Sequence, residues 1–85
     1  MKQIEYIIQS PVGIHARPAG MLVNTAGKFS SEITVSTGGR QASARKLFAL
    51  MKLGAKQNDT IRICANGPDE DEAIQAVSGI LSQYF

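Results

Sequence analysis

Apolar residues recur along the chain at two different periods, and the changes of period divide it into elements. Ile4, Tyr6 and Ile8 alternate with polar positions that include Gln3, Glu5 and Gln9, the pattern of a half-buried strand. Ser10-Pro11-Val12-Gly13 breaks that strand, because proline has no N–H for a ladder and glycine relaxes the backbone. From Ala16 the spacing becomes Ala19, Leu22, Val23 and Ala26, one face of an amphipathic helix. Pro18 is compatible with that helix only in its first turn, and Gly27 supplies its stop.

Period two returns at Ile33 and Val35, and Gly38-Gly39 permits the positive φ angles of a tight hairpin before a short strand over 41–44. Leu47, Phe48, Leu50, Met51 and Leu53 are too crowded for one narrow helical stripe. The spacing assigns Leu47 and Leu50 to the core and leaves Phe48 and Met51 as candidates for an exposed patch, with Gly54 ending the helix. After the Asn58-Asp59 turn, Ile61, Ile63 and Ala65 share one strand face, and Cys64 falls on the other. A last helix carries Ala73, Ile74, Val77, Ile80 and Leu81 as its stripe, opens on the acids Asp69 to Glu72, and contains Gly79, which would allow close approach to the sheet. Tyr84 and Phe85 either tether the end or fray.

The order is β-α-β-β-α-β-α, which predicts an α+β fold: a four-stranded antiparallel sheet covered on one face by three helices, its other face polar. No G-x-G-x-x-G or G-x-x-x-x-G-K-[ST] run follows a strand, so the α/β sequence is not read as a doubly wound nucleotide-binding domain. The 85 residues are expected to form a single domain, 1–85, that buries about two-thirds of its extended surface. Such a chain has no room for a deep cleft, so its chemistry belongs near the surface.

Charge is unevenly placed. All nine Lys and Arg and three acids precede Asp69, and the remaining four acids stand at Asp69 to Glu72, an asymmetry able to steer a protein partner. The lone Cys64 can make neither an internal disulfide nor a thiolate cluster and reads as small-volume packing, and one His with one Cys offers no metal-ligand spacing, so no metal site is expected. No apolar run reaches signal-peptide or membrane-span length, and a cytoplasmic location follows as the expectation.

The candidate chemistry lies at Gly13-Ile14-His15-Ala16-Arg17-Pro18-Ala19, where the only histidine stands at a predicted helix start. The first amides of a helix lack acceptors and its dipole is positive there, so the amides of Ala16 and Arg17 can hold a phosphoryl group on His15. Arg17 adds charge-assisted contacts to its oxygens, and a neutral imidazole nitrogen can accept the group and pass it on. A lone histidine can equally be structural, and the alternative reading is a regulatory interaction domain in which His15 is never phosphorylated.

This heptad resembles the active-site signature of the histidine-containing phosphocarrier family HPr: glycine, an aliphatic residue, histidine, a small residue, arginine, proline, a small residue. The likeness extends to Ser31-Glu-Ile-Thr-Val35, Gly38-Gly39, Ala42-Ser-Ala44, Leu47-Phe48 and Leu53-Gly54, across essentially the whole chain. It implies an open-faced two-layer sandwich that relays phosphate in the phosphoenolpyruvate-dependent sugar phosphotransferase system. His15 would take the group from enzyme I, which uses phosphoenolpyruvate and magnesium, and give it to a sugar-specific enzyme IIA. A related carrier in a nitrogen-regulatory branch is the alternative.

By the same resemblance Arg17 binds phosphate, Leu47, Phe48 and Met51 form an apolar docking region, and Arg45 and Lys52 supply peripheral charge. The implied protein is a monomeric relay rather than a freestanding enzyme, with no bound cofactor, no nucleic acid and no membrane insertion. Family members under serine-kinase control carry a serine at the start of the second helix. Lys46 stands there in this chain and cannot accept that phosphate, and Ser43 is a poor substitute.

Overall fold

The computed structural model describes residues 1–85. Its elements are β1 (Lys2–Ile7), α1 (Ala16–Ala26), β2 (Glu32–Thr37), β3 (Arg40–Ser43), α2 (Leu47–Lys52), β4 (Thr60–Asn66) and α3 (Glu70–Tyr84), in the expected order. The strands lie β1-β4-β2-β3 in one sheet, and every neighbouring pair is antiparallel.

Register shows why one face of this sheet is buried. Ile4 pairs with Ile63, Ile63 with Val35 and Val35 with Ala42, so one apolar row crosses all four strands beneath the helices. One step along, Glu5, Arg62, Ser36 and Gln41 form the matching row on the open face. Successive side chains point to opposite faces, so a slip of one residue would exchange the two rows and bury charge. On the open face Arg62 and Glu5 pair at 2.9 Å, both well exposed.

The helices bury Pro18, Ala19, Leu22 and Ala26 from α1, Leu50 from α2, and Ala73, Val77 and Leu81 from α3. Alanine at Ala26 and Ala73 lets helices and sheet approach closely, and these side chains join the strand residues in one hydrophobic cluster. Each fully buried Leu or Ile contributes about 1.5–3 kcal/mol. No helix is long and apolar enough to cross a membrane.

Local expectations fared unevenly. Gly38 and Gly39 adopt φ 55 and 79, as a two-residue hairpin demands, and β3 begins at Arg40, directly after them. Gly27 caps α1 with φ −67, so the helix stops without a left-handed residue and closes on a tight turn, with Lys28 N donating to Thr25 O at 3.1 Å and Phe29 N to Ala26 O at 3.3 Å. Gly79 does not let α3 approach the sheet: it is exposed, and a Cβ there would meet nothing within 4 Å. Leu47 is only half-buried, because the six-residue α2 turns Leu50 inward and leaves little of its circumference for a second anchor. Phe85 is tethered, with 3% of its surface exposed.

Asp69 does not cap α3 with its side chain. Its carboxylate instead accepts hydrogen bonds from the Ser30 amide (2.8 Å), the Ser31 amide (2.9 Å) and the Ser31 hydroxyl (2.5 Å). The α3 N-terminus is thereby tied to the turn that enters β2. Gly67 makes this possible, since a Cβ there would come within 2.6 Å of the Ser31 Cα.

Candidate functional site

The segment between β1 and α1 is short of regular structure yet bound at nearly every step. Ile8 exchanges backbone hydrogen bonds with the 58–59 turn: its amide donates to Asp59 O at 2.9 Å and its carbonyl accepts from Asn58 N at 2.8 Å. The amides of Gln9 and Ser10 both donate to the Phe85 carbonyl, at 2.6 and 2.8 Å. Gly13 N closes a turn onto Ser10 O, and Ile14 N reaches Ala55 O at 3.2 Å. Glycine is required at position 13 on two counts: φ is +66, and a Cβ would lie 2.4 Å from the Ala55 carbonyl oxygen.

That anchored loop delivers His15 to the start of α1 as its N-cap residue, in an extended conformation (φ −132, ψ 171). Its carbonyl accepts the Ala19 amide at 3.0 Å, the first hydrogen bond of the helix, while its imidazole makes no capping bond. The amides of Ala16 and Arg17 have no backbone acceptor, and Pro18, third in the helix, has no N–H to satisfy. The helix therefore presents two free donors and the positive end of its dipole beside a half-buried imidazole. Arg17 is exposed and takes part in none of the ion pairs of the structure, so its guanidinium is free to meet an anion.

His15 and Arg17 open onto a depression of about 470 Å³ whose remaining walls are Pro18, Met21, Gln83 and Tyr84. A depression of equal volume on the open sheet face, bordered by Glu5, Ser36, Arg40 and Arg62, holds no histidine, and its Arg62 is already paired with Glu5. Chemistry rather than volume singles out the first.

The structure brings most of the proposed docking residues beside this loop. α2 is pinned by buried Leu50 and Leu53, leaving Phe48 75% and Met51 36% exposed, with Lys52 exposed next to them. From the end of α2 the chain runs on through Gly54 into Ala55, whose carbonyl accepts the Ile14 amide, so the segment after α2 is tied to the His15 loop. Lys46 is the N-cap of α2, as its alignment with the family's serine position implied, and Ser43 accepts the Arg45 amide with its hydroxyl at 3.2 Å.

Arg45 is engaged elsewhere. Its guanidinium donates to the carbonyls of Ala26 (3.4 Å), Phe29 and Ser31 (3.2 Å), beyond the C-terminal end of α1. Eleven helical residues, about 16 Å, separate that end from His15. Arg45 thus ties the turn that follows α1 to the segment before α2, a structural task that its charge in the sequence did not reveal.

Sequence reasoning missed Met21, Gln83 and Tyr84. Met21 follows Arg17 by one helical turn, so the i, i+4 rule could have found it. Gln83 and Tyr84 come from the other end of the chain and carry no local signal.

With the geometry in hand, comparison with known proteins is direct. The family model for the HPr component phosphorylation site of the phosphotransferase system matches residues 2–83. The chain belongs to the HPr family. It is similar to the phosphocarrier protein HPr of Mycoplasma pneumoniae, with 45% identity over 85 residues, covering 99% of this chain and 97% of that one. Among solved structures, HPr from Thermoanaerobacter tengcongensis superposes with a TM-score of 0.90 at 38% identity, covering 96% of this chain and 92% of that chain. The histidine-containing phosphocarrier protein of a mycoplasma gives a TM-score of 0.91 at 38% identity, covering 93% and 90%. The four-stranded sheet with its three helices is thus the HPr fold.

Proposed function

We infer that this HPr-family chain is a phosphocarrier of the phosphoenolpyruvate-dependent sugar phosphotransferase system, with His15 as the residue that carries the phosphoryl group. The observation that supports this most is the pairing of an accessible imidazole with two unbonded helix amides and a free guanidinium in one depression.

The reaction is an exchange of one N–P bond for another. A ring nitrogen of neutral His15 directs its lone pair at the phosphorus of phosphorylated enzyme I, and the new N–P bond forms as the donor's bond breaks. The departing donor nitrogen keeps the bonding pair. Phosphoryl transfer asks the protein mainly for positioning and for neutralisation of charge on three equatorial oxygens. The Ala16 and Arg17 amides and the Arg17 guanidinium meet those oxygens without rearranging the helix. The second transfer, to the histidine of an enzyme IIA, reverses these roles.

Phe48, Met51, Lys52 and half-buried Leu47 form the surface on which enzyme I and enzyme IIA alternate, and the protein works as a monomer because one face must serve both. It needs no resident cofactor; phosphoenolpyruvate and magnesium act at enzyme I. With Lys46 at the start of α2, an ATP-dependent serine kinase finds no acceptor there. The deciding experiment is incubation with phosphoenolpyruvate, magnesium and enzyme I, followed by mass spectrometry. Acid-labile phosphate on His15, absent from His15→Ala, is the expected result; equal labelling of His15→Ala would overturn the assignment.

A further inference from the structure

The wall of the His15 depression opposite α1 is the last turn of α3, which contributes Gln83 and Tyr84. A helix C-terminus presents carbonyl oxygens and the negative end of its dipole, a poor neighbour for a phosphoryl group unless a donor intervenes. No basic residue stands in the last turn of α3. Tyr84 is half-buried and packs against the core, whereas Gln83 is exposed and its side-chain amide, with two N–H donors, makes no hydrogen bond within the chain.

The position of Gln83 relative to His15 is held by backbone. Phe85, two residues on, is buried, and its amide donates to Leu81 O at 3.0 Å. The same residue's carbonyl accepts Gln9 N and Ser10 N, at the start of the loop that carries His15. The end of α3 and the His15 loop thus move together, and a side chain on one is pre-positioned for a group on the other.

We propose that Gln83 binds the phosphoryl group of phosphorylated His15 through its side-chain amide, completing a cradle whose other walls are Arg17 and the first amides of α1. This rests on the carrier reading above. Gln83 donates to a phosphoryl oxygen once the group is in place, favouring the loaded protein over the empty one. It neither accepts nor transfers the group.

The test equilibrates the protein with enzyme I, phosphoenolpyruvate and magnesium. It measures the loaded fraction, the hydrolysis half-life of the phosphate and its phosphorus-31 chemical shift. Loss of one hydrogen bond in Gln83→Ala is expected to move the loading equilibrium about two- to tenfold toward enzyme I. Gln83→Glu, which turns a carboxylate on the phosphate, moves it further, while Gln83→Lys keeps a donor and loads at least as well as the native protein. The phosphorus resonance shifts in each variant, and melting temperatures of the unloaded proteins stay together because the site is exposed. A mere stability defect would not order the three substitutions by charge. Native loading, half-life and chemical shift in all three, alongside a defect in Arg17→Ala, would overturn the role of Gln83 and leave the carrier reading standing. Failure of the native protein to take phosphate on His15 would overturn both.

Discussion

The two ends of α1 make opposite use of similar groups. At its C-terminal end and in the turn that follows, polar groups are engaged by side chains: Arg45 reaches three carbonyls, and Asp69 takes two amides and a hydroxyl from Ser30 and Ser31. At its N-terminal end the Ala16 and Arg17 amides have no backbone acceptor, the Arg17 guanidinium has no ion-pair partner, and the His15 imidazole caps nothing. A helix end closed by its own protein contributes stability; one left open keeps its donors for something that arrives. The position of the open end among tightly held backbone, from Gly13 to Ala55 and from Ser10 to Phe85, shows that the vacancy is not looseness.

The comparison breaks most sharply at His15. His15→Ala is expected to abolish phosphoryl acceptance while leaving thermal unfolding unchanged, checked by phosphate incorporation and calorimetry side by side. Arg17→Ala is expected to lower the rate of transfer from enzyme I by about tenfold or more, the scale of a lost charge-assisted contact to phosphate, with no change in melting temperature. Arg45→Ala should do the reverse, costing about 1–3 kcal/mol of stability through the carbonyls it abandons while sparing transfer by the folded protein. If the two arginine variants fail to separate in this way, the contrast between the ends of α1 is wrong.

Smaller effects sharpen the picture. Phe48→Ala removes an exposed ring, so stability should stay within about 0.5 kcal/mol, while the KM for enzyme I rises several-fold. Asp69 gives a pH signature at the closed end. The Ser31 hydroxyl, above all, and then the Ser30 amide hold its carboxyl below its ordinary value of 3.8. Because the unfolded chain then binds the proton more readily, its contribution is complete above pH 3.8 and disappears as the pH falls through the depressed value. Asp69→Asn should flatten the acid limb of a stability-versus-pH curve, measured by denaturant titration, without altering phosphate loading above it.

Period-two and helical spacing sufficed for all seven elements, because an element's apolar face is written in consecutive residues. The His-Arg-Pro segment was legible for the same reason: its chemistry depends on which residue begins a helix, and that is local. Side chains that act across long stretches of chain were not. Arg45 reads as a surface cation until the turn after α1 is brought against it, and Asp69 reads as a helix-start acid until the amides of Ser30 and Ser31 in the same turn reach it. Gly79 failed as a close-approach signal because nothing in a helical stripe says what a missing Cβ would have touched.

By itself, then, the sequence determined the order of elements, the inward and outward faces of the sheet, and a histidine at a helix start beside an arginine. Tertiary structure alone decided which charges are engaged and which stay free, and that Gln83 and Tyr84, from the far end of the chain, wall the His15 depression. The physical reason is range: periodicity and capping are set by neighbours within a few residues, whereas hydrogen-bond saturation depends on every group that packing brings near.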